Sequence, residues 1–448
     1  MHRWILLVAL TSACLFADRP AKTNPAVSQI VGEVSSDNIR AILQKLESFE
    51  TRNTFSEVSS SRRGIGAARR WIYDELRSYS PRLQVRYDSY HVKAKGRIFE
   101  NVEIVNVVAV LPGTVHPDLH VVVSAHYDSL NLHKADLAPD TPDYLKRERD
   151  PETVAKAYAP GVVDDGSGTA AVMELARVMS RYEFDKSILF IAFAAEEQGL
   201  VGSNLFAARA KEDGTRIEAV FNNDIIGSAT TGDGRTESKR IRVFAAGPED
   251  SMSRQLVRYV REIGARYLPD FTADMIFRSD RFGRGGDHTS FNQQGYAAVR
   301  FTTPMENYDN QHTPNDLLKN ASVSYATDAA KLNAAGIASL AWAPAGPQAK
   351  QGRRPLISRG ASGYDAVLAW ECDFPEDDLA GYEIVMRKTT DADWQKRVWV
   401  GMQGEYRFPK MSIDEWVFGV RAIDKEGNES LVSPYDYPQR SRVKYELY

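Results

Sequence analysis

Two apolar runs, residues 119–125 (LHVVVSA) and 187–194 (SILFIAFA), constrain the fold more than any other feature. Neither alternates polar with apolar positions, so each suits a strand covered on both faces. Such strands need helices on either side, and the neighbouring sequence supplies them. Helical periodicity marks 37–50, 66–78, 168–182, 201–211, 252–264 and 322–341, and further strand-like runs lie at 83–91, 102–111, 219–225, 241–246 and 297–301. This alternation implies an α/β fold with a mostly parallel central sheet flanked by helices, expected over 36–342.

The pattern changes after Trp342. Residues 343–355 (APAGPQAKQGRRP) read as a linker, and short strands follow at 366–371, 381–387, 397–401 and 416–423. They imply a small antiparallel β-sandwich over 356–440. This segment resembles a fibronectin type III module in Trp370 and in Val420-Arg421-Ala422-Ile423-Asp424 followed by Gly427. Trp416 stands where that module usually carries a tyrosine.

His2 and Arg3, the apolar run 4–10 and the small residues 11–13 have the layout of an export signal, expected over 1–17. The run is far shorter than the roughly 20 residues of a membrane span. Thr-Ser-Ala-Cys also resembles a bacterial lipoprotein box, so two outcomes stay open: lipidation of Cys14, which would attach the chain to a membrane, or cleavage near Ala17. Residues 18–35 read as a tether. The expected destination is periplasmic, outer-membrane lipoprotein or extracellular. With 56 basic against 60 acidic residues the net charge is −4, which points away from nucleic acid as a partner. Cys372 is the only cysteine besides Cys14, so an internal disulfide is not expected.

Acid and imidazole side chains gather at the C-terminal ends of the expected strands, where open α/β sheets collect ligands. His126 in Ser124-Ala125-His126-Tyr127-Asp128 is a candidate ligand, with Asp128 to orient its ring. Asp164 lies in the glycine-bounded turn 161–168 (GVVDDGSG) ahead of a helix. Glu196 and Glu197 follow the run 187–194; two adjacent carboxylates at a buried strand end repel unless a cation or a proton intervenes. Asp224 ends another strand, and His312 precedes Asp316 in QHTPND, where Asp316 could orient it. Two His, two Asp and one Glu without thiolates suit zinc or a similar divalent cation.

These segments, SAHYDS, GVVDDGSG, FAAEEQGLVGS, NNDIIG and QHTPND, resemble in content and order the M28 family of zinc exopeptidases. The resemblance implies two Zn2+ ions, one held by His126, Asp164 and Asp224 and the other by Asp164, Glu197 and His312. It makes Glu196 the general base and Asp128 the partner of His126, and it implies a cis peptide at Asp164–Asp165. Substrates would be peptides or proteins with a free N-terminus. A carboxypeptidase of the same family and a single-zinc glutaminyl cyclase are the rivals. Asp165 and Gly286 stand where the family often has Asn and Ser. His288 and Tyr308 are candidates for the transition-state donor. The long polar segment 131–160 is either a wall of the site or a surface elaboration, and the C-terminal module would bind a surface or the catalytic domain.

Overall fold

The computed structural model describes residues 22–436 apart from 135, 139, 143, 353 and 373–375. The expected export signal and Cys14 lie outside the described residues. The chain divides into a larger unit, 22–344 with 426–431, and a smaller one that includes 345–425.

In chain order the larger unit contains α1 (Pro25–Glu33), α2 (Ser36–Glu47), α3 (Gly64–Tyr79), β1 (Gln84–Val92), β2 (Val102–Leu111), β3 (His116–His126), α4 (Pro151–Lys156), α5 (Ser167–Met179), β4 (Lys186–Phe193), α6 (Val201–Glu212) and β5 (Arg216–Asn223). It continues with β6 (Arg240–Ala245), α7 (Met252–Tyr267), β7 (Thr272–Ile276), α8 (Asp287–Gln293), β8 (Ala298–Thr302) and α9 (Val323–Trp342). The strands form one sheet in the order β1-β2-β4-β3-β5-β8-β6-β7. Its centre, β4-β3-β5-β8, is parallel throughout, while β2 pairs antiparallel with β4 and β6 with β8. Every residue of β4 and β8 is buried, as the unbroken apolar run of β4 requires.

Alternate strand residues face different cores, following the two-residue period of a strand. Val121, Val123, Ile188 and Phe190 join the helices α1, α2, α5 and α9 in one cluster. Val122, Leu189 and Ile191 join Phe206 of α6 and Phe291 of α8 in another.

Two expected boundaries change. The tether 18–35 contains α1, whose Val27 and Ile30 are fully buried and whose N-cap Asn24 accepts a hydrogen bond from the Ala26 N–H at 2.9 Å. The linker 343–355 contains an antiparallel strand pair, Lys350–Gln351 with Arg354–Pro355, in the smaller unit. Strand β7 and helices α4 and α8 escaped the sequence reading because they are short, five to seven residues, too few to display a period.

The smaller unit holds a three-stranded antiparallel sheet (Ile357–Ser358, Ala366–Ala369, Glu405–Phe408) and a four-stranded one (Lys396–Gly401, Leu379–Lys388, Trp416–Asp424, Ser433–Pro434). Trp370 lies in its core, edge-on to Tyr382 with ring centres 5.7 Å apart. Trp416 is half-buried, with the ammonium groups of Lys388 and Lys396 at 4.2 and 4.6 Å from its ring.

Candidate metal centre

The C-terminal ends of the central parallel strands open on one cavity, and the chemistry sits there. His126 is the last residue of β3, Asp224 follows β5, and Glu196 and Glu197 lie in the turn after β4. Asp164 belongs to the irregular turn Val162–Gly166 ahead of α5, where Asp164 and Asp165 leave helical dihedrals and the peptide between them is cis. His312 lies in the loop between β8 and α9. Gly161 enters that turn with φ 52°, and a Cβ there would stand 2.5 Å from Cβ of Ser129. Ala195, Ile225 and His312 also adopt left-handed φ of 59°, 61° and 56°. Such a backbone costs about 1–3 kcal/mol per non-glycine residue and concentrates at functional sites.

The six candidate side chains converge. His126 Nε2 is 3.3 Å from Asp164 Oδ1 and 3.9 Å from Asp224 Oδ1. His312 Nε2 is 3.0 Å from both Asp164 Oδ2 and Glu197 Oε1. Asp164 thus offers one oxygen to each imidazole. Ligand atoms of His126, Glu196 and Asp224 lie within 4.8 Å of one another, as do those of His126, Asp164 and Glu197. Glu197 Oε1 is buried and, among the described residues, faces only the His312 ring nitrogen. Two imidazoles facing buried carboxylate oxygens are a donor set that fits a divalent cation.

Electrostatics tell the same story. Burial, aided by the neighbouring Asp224 and Glu197, raises the Glu196 pKa well above the usual carboxylate range. Burial likewise raises Glu197 and Asp224. Burial would lower both imidazoles, but their carboxylate neighbours outweigh it and raise His126 and His312 well above the ordinary value. Asp164 is driven low despite burial, because both imidazoles bond to it. A cation would replace the protons that this crowding otherwise retains.

The supporting residues differ from expectation in three places. Asp128 lies against His126, but Nδ1 comes closest to the Asp128 backbone carbonyl, at 3.1 Å against 3.5 Å to its carboxylate. The Asp128 carboxylate accepts the N–H groups of Glu196 and Glu197 at 3.1 and 3.3 Å, fixing the acidic turn. Asp316 does not orient His312. It accepts the N–H groups of Val163 and Asp164 at 2.8 and 3.0 Å and so holds the Asp164 turn. His288 is buried, its Nε2 at 2.7 Å from the Ser279 carbonyl, and belongs to the framework; Tyr308 is exposed at the cavity wall.

Four further residues take roles that the motifs alone do not assign. Asp165 accepts N–H groups of His126, Gly168 and Ile225 at 3.3, 3.0 and 3.1 Å, tying together the ends of β3 and β5 and the start of α5. Arg52, fully buried, donates to the carbonyls of Tyr127, Leu46, Pro160 and Gly161 at 2.6–3.2 Å. Burial pushes its pKa down to about 10. Arg300 on β8 pairs with Asp224 Oδ2 at 3.0 Å and with Asp280, and Gln311 Nε2 donates to Asp164 Oδ2 at 2.6 Å. Only Gln311 was traceable, as the residue preceding His312.

Residues 106–337 match the family described as Peptidase family M28. A probable zinc metalloprotease of Leptosphaeria maculans is 37% identical over 94% of this chain and 98% of its own length. One of Pyrenophora teres f. teres is 36% identical over 94% of this chain and 88% of its own. Among solved structures, the LapA aminopeptidase of Legionella pneumophila shares the fold with TM-score 0.54 and 22% identity, covering 72% of this chain and 76% of that one. The glutaminyl cyclase of Fimbriiglobus ruber does so with TM-score 0.50 and 17% identity, over 68% and 95%. Zinc accords with both the relatives and the donor set. A family match spanning the sheet from β2 to α9, and relatives alike over nearly the whole length, make this chain a metallopeptidase belonging to peptidase family M28.

Proposed function

We propose that the protein is an exported aminopeptidase that holds two zinc ions, one at His126, Asp164 and Asp224 and one at Asp164, Glu197 and His312. One observation carries the two-ion reading: Asp164 turns its two oxygens to two different imidazoles, at 3.3 and 3.0 Å, and a carboxylate so placed can serve two cations at once. Zinc held there would polarise the scissile carbonyl and lower the pKa of water towards about 7.

The remaining steps belong to side chains of this chain. Glu196 lines the cavity, and its turn is fixed by Asp128. Its raised proton affinity suits it to take a proton from the attacking water and return it to the leaving amine as the C–N bond breaks. Arg300 holds the outer oxygen of Asp224, and Gln311 donates to the Asp164 oxygen that faces His312, so both acids keep their orientation. The leader-like segment 1–13 supports export.

The test is mass spectrometry of a peptide library, half with free and half with acetylated N-termini, incubated with the zinc-loaded protein. Stepwise shortening of the free peptides alone is expected. Loss from the C-terminus would replace this reading with a carboxypeptidase, and cyclised N-terminal glutamine with a glutaminyl cyclase.

A further inference from the structure

The cavity in front of the acidic cluster is opposite in charge to the protein around it. The whole chain carries −4. The cavity, about 1360 Å³, is lined by Arg97, Lys146, Arg147, Arg149, Arg281 and Arg284, and beyond the cluster's own carboxylates its only lining acids, among the described residues, are Glu148 and Asp309. Arg281 and Arg284 share the buried Glu306, with Nη1 atoms at 2.8 and 3.0 Å from Oε2. The Glu148 carboxylate is turned to the N–H groups of Arg149 and Asp150 at 2.7 and 3.0 Å. Arg281 Nε also lies 3.0 Å from Asp280, so among the described residues the six cations of the wall face four carboxylates, Glu148, Asp309, Glu306 and Asp280. With divalent cations balancing the cluster, the wall sets the sign of the field, and a low-dielectric cleft concentrates it.

Three of these cations, Lys146, Arg147 and Arg149, lie on the segment 131–160. That segment is anchored to the centre: the Leu132 N–H donates to the His312 carbonyl at 2.9 Å, and the Glu148 N–H to the Leu132 carbonyl at 2.7 Å. His133 bridges to Arg147 in the same ladder. Its cations are thus held over the site by backbone bonds that run to a candidate ligand. Arg97 approaches from the other side, with Nη1 at 3.3 Å from the Glu197 carbonyl. The volume exceeds the roughly 300–1,000 Å³ of a pocket for one drug-sized ligand, so several residues of a peptide fit.

We propose that this cavity selects peptides bearing a carboxylate within a few residues of the scissile bond, with Arg97, Arg147 and Arg149 determining the preference. The inference rests on the peptidase reading above and adds its substrate class. The carboxylate has two sources, an Asp or Glu side chain or the C-terminus of a short peptide; guanidinium groups recognise both.

The experiment compares kcat/KM of the zinc-loaded full chain for Leu-Asp-Ala-amide, Leu-Asn-Ala-amide, Leu-Lys-Ala-amide, Leu-Ala-Ala-amide and Leu-Ala-Ala with a free C-terminus, at low and high salt. A preference for the Asp peptide, the free acid or both of about tenfold over its neutral counterpart is expected, carried by KM and shrinking with salt. The pair that shows it names the source. In R147S/R149S the ratio of anionic to neutral kcat/KM should fall towards one, and a charge-independent loss would overturn the assignment of those residues. Equal rates for Asp, Asn and Lys peptides and for free acid and amide overturn the proposal. Calorimetric binding of the same peptides reads the charge preference even where none is cut, so absent turnover counts against the peptidase reading and absent preference against this one.

Discussion

The guanidinium of Arg300 lies 3.0 Å from Asp224 Oδ2, and the other oxygen of that carboxylate faces His126 Nε2 at 3.9 Å. A fully buried cation on β8 thereby aims an acid at the end of β5, the neighbouring strand. Replacing Arg300 by Met should weaken zinc binding about 10–100-fold, the usual effect of losing a residue that orients a ligand. Competition with a chromophoric chelator measures it, and Arg300→Lys should recover part of the loss. Unchanged affinity in Arg300→Met would show that Asp224 needs no such support.

Glu196→Gln keeps the size of the side chain and removes its ability to take a proton. Turnover should fall by about 10²–10⁴-fold while the bound zinc measured by elemental analysis stays constant. Near-normal turnover in the metal-loaded variant would move the base elsewhere in the cavity.

Arg52 satisfies four carbonyls from three stretches of chain, and no other side chain has five N–H donors to offer. Arg52→Met should destabilise the larger unit by several kcal/mol, because buried carbonyls left without a donor cost about 1–3 kcal/mol each. Thermal unfolding of the zinc-loaded protein reads this directly. A change within a few tenths of a kcal/mol would mean that water replaces the guanidinium.

A Cβ at Gly168 would stand 2.5 Å from Asp165 Oδ2 and 2.6 Å from the Asn223 carbonyl, whereas one at Gly32 in α1 meets nothing within 4 Å. Gly168→Ala should destabilise by about 1–3 kcal/mol through overpacking, and Gly32→Ala should stabilise by about 0.5–1 kcal/mol. Chemical denaturation of the pair tests whether the turn around Asp165 is as closely fitted as the distances say.

Chelation should abolish turnover, and zinc should restore it. The stability of the chelated protein should also depend on pH in a defined sense. Glu196, Glu197 and Asp224 have raised pKa values, as do His126 and His312, so the folded state binds more protons than the unfolded one. Their contribution is complete at low pH and is lost as pH rises past the usual carboxylate and imidazole values. Asp164, held low, contributes above its usual pKa and adds no slope near neutrality. The Tm gap between zinc-loaded and chelated protein should therefore widen from about pH 5 to 8, because deprotonation also favours the metal. A gap that narrows over that range would contradict the clustering of these groups.

The strands of the sheet other than β7 and the six converging side chains were legible because five of the six end or follow an apolar run or sit in a glycine-bounded turn, while His312 stands in QHTPND. What escaped notice has a common physical cause. Arg52 and Arg300 act through contacts with residues distant in sequence, and an isolated arginine has no local signature of burial. Asp316 lies only four positions after His312 and so looked like its partner, while the fold turns its carboxylate to backbone N–H groups at Val163 and Asp164. Helix α1 was hidden by its nine-residue length and its opening proline, with only Val27 and Ile30 fully buried to mark a face.

The loop bearing His312 follows the last strand of the sheet, and Asp164 turns one of its two oxygens to that residue. A ribosome that has emitted β3, β4 and β5 has already produced His126, Asp164, Glu197 and Asp224, yet that oxygen still has no imidazole to face. On the two-ion reading proposed above, a copy truncated before residue 312 would lack the imidazole that completes the second position, however much of the sheet it had already formed.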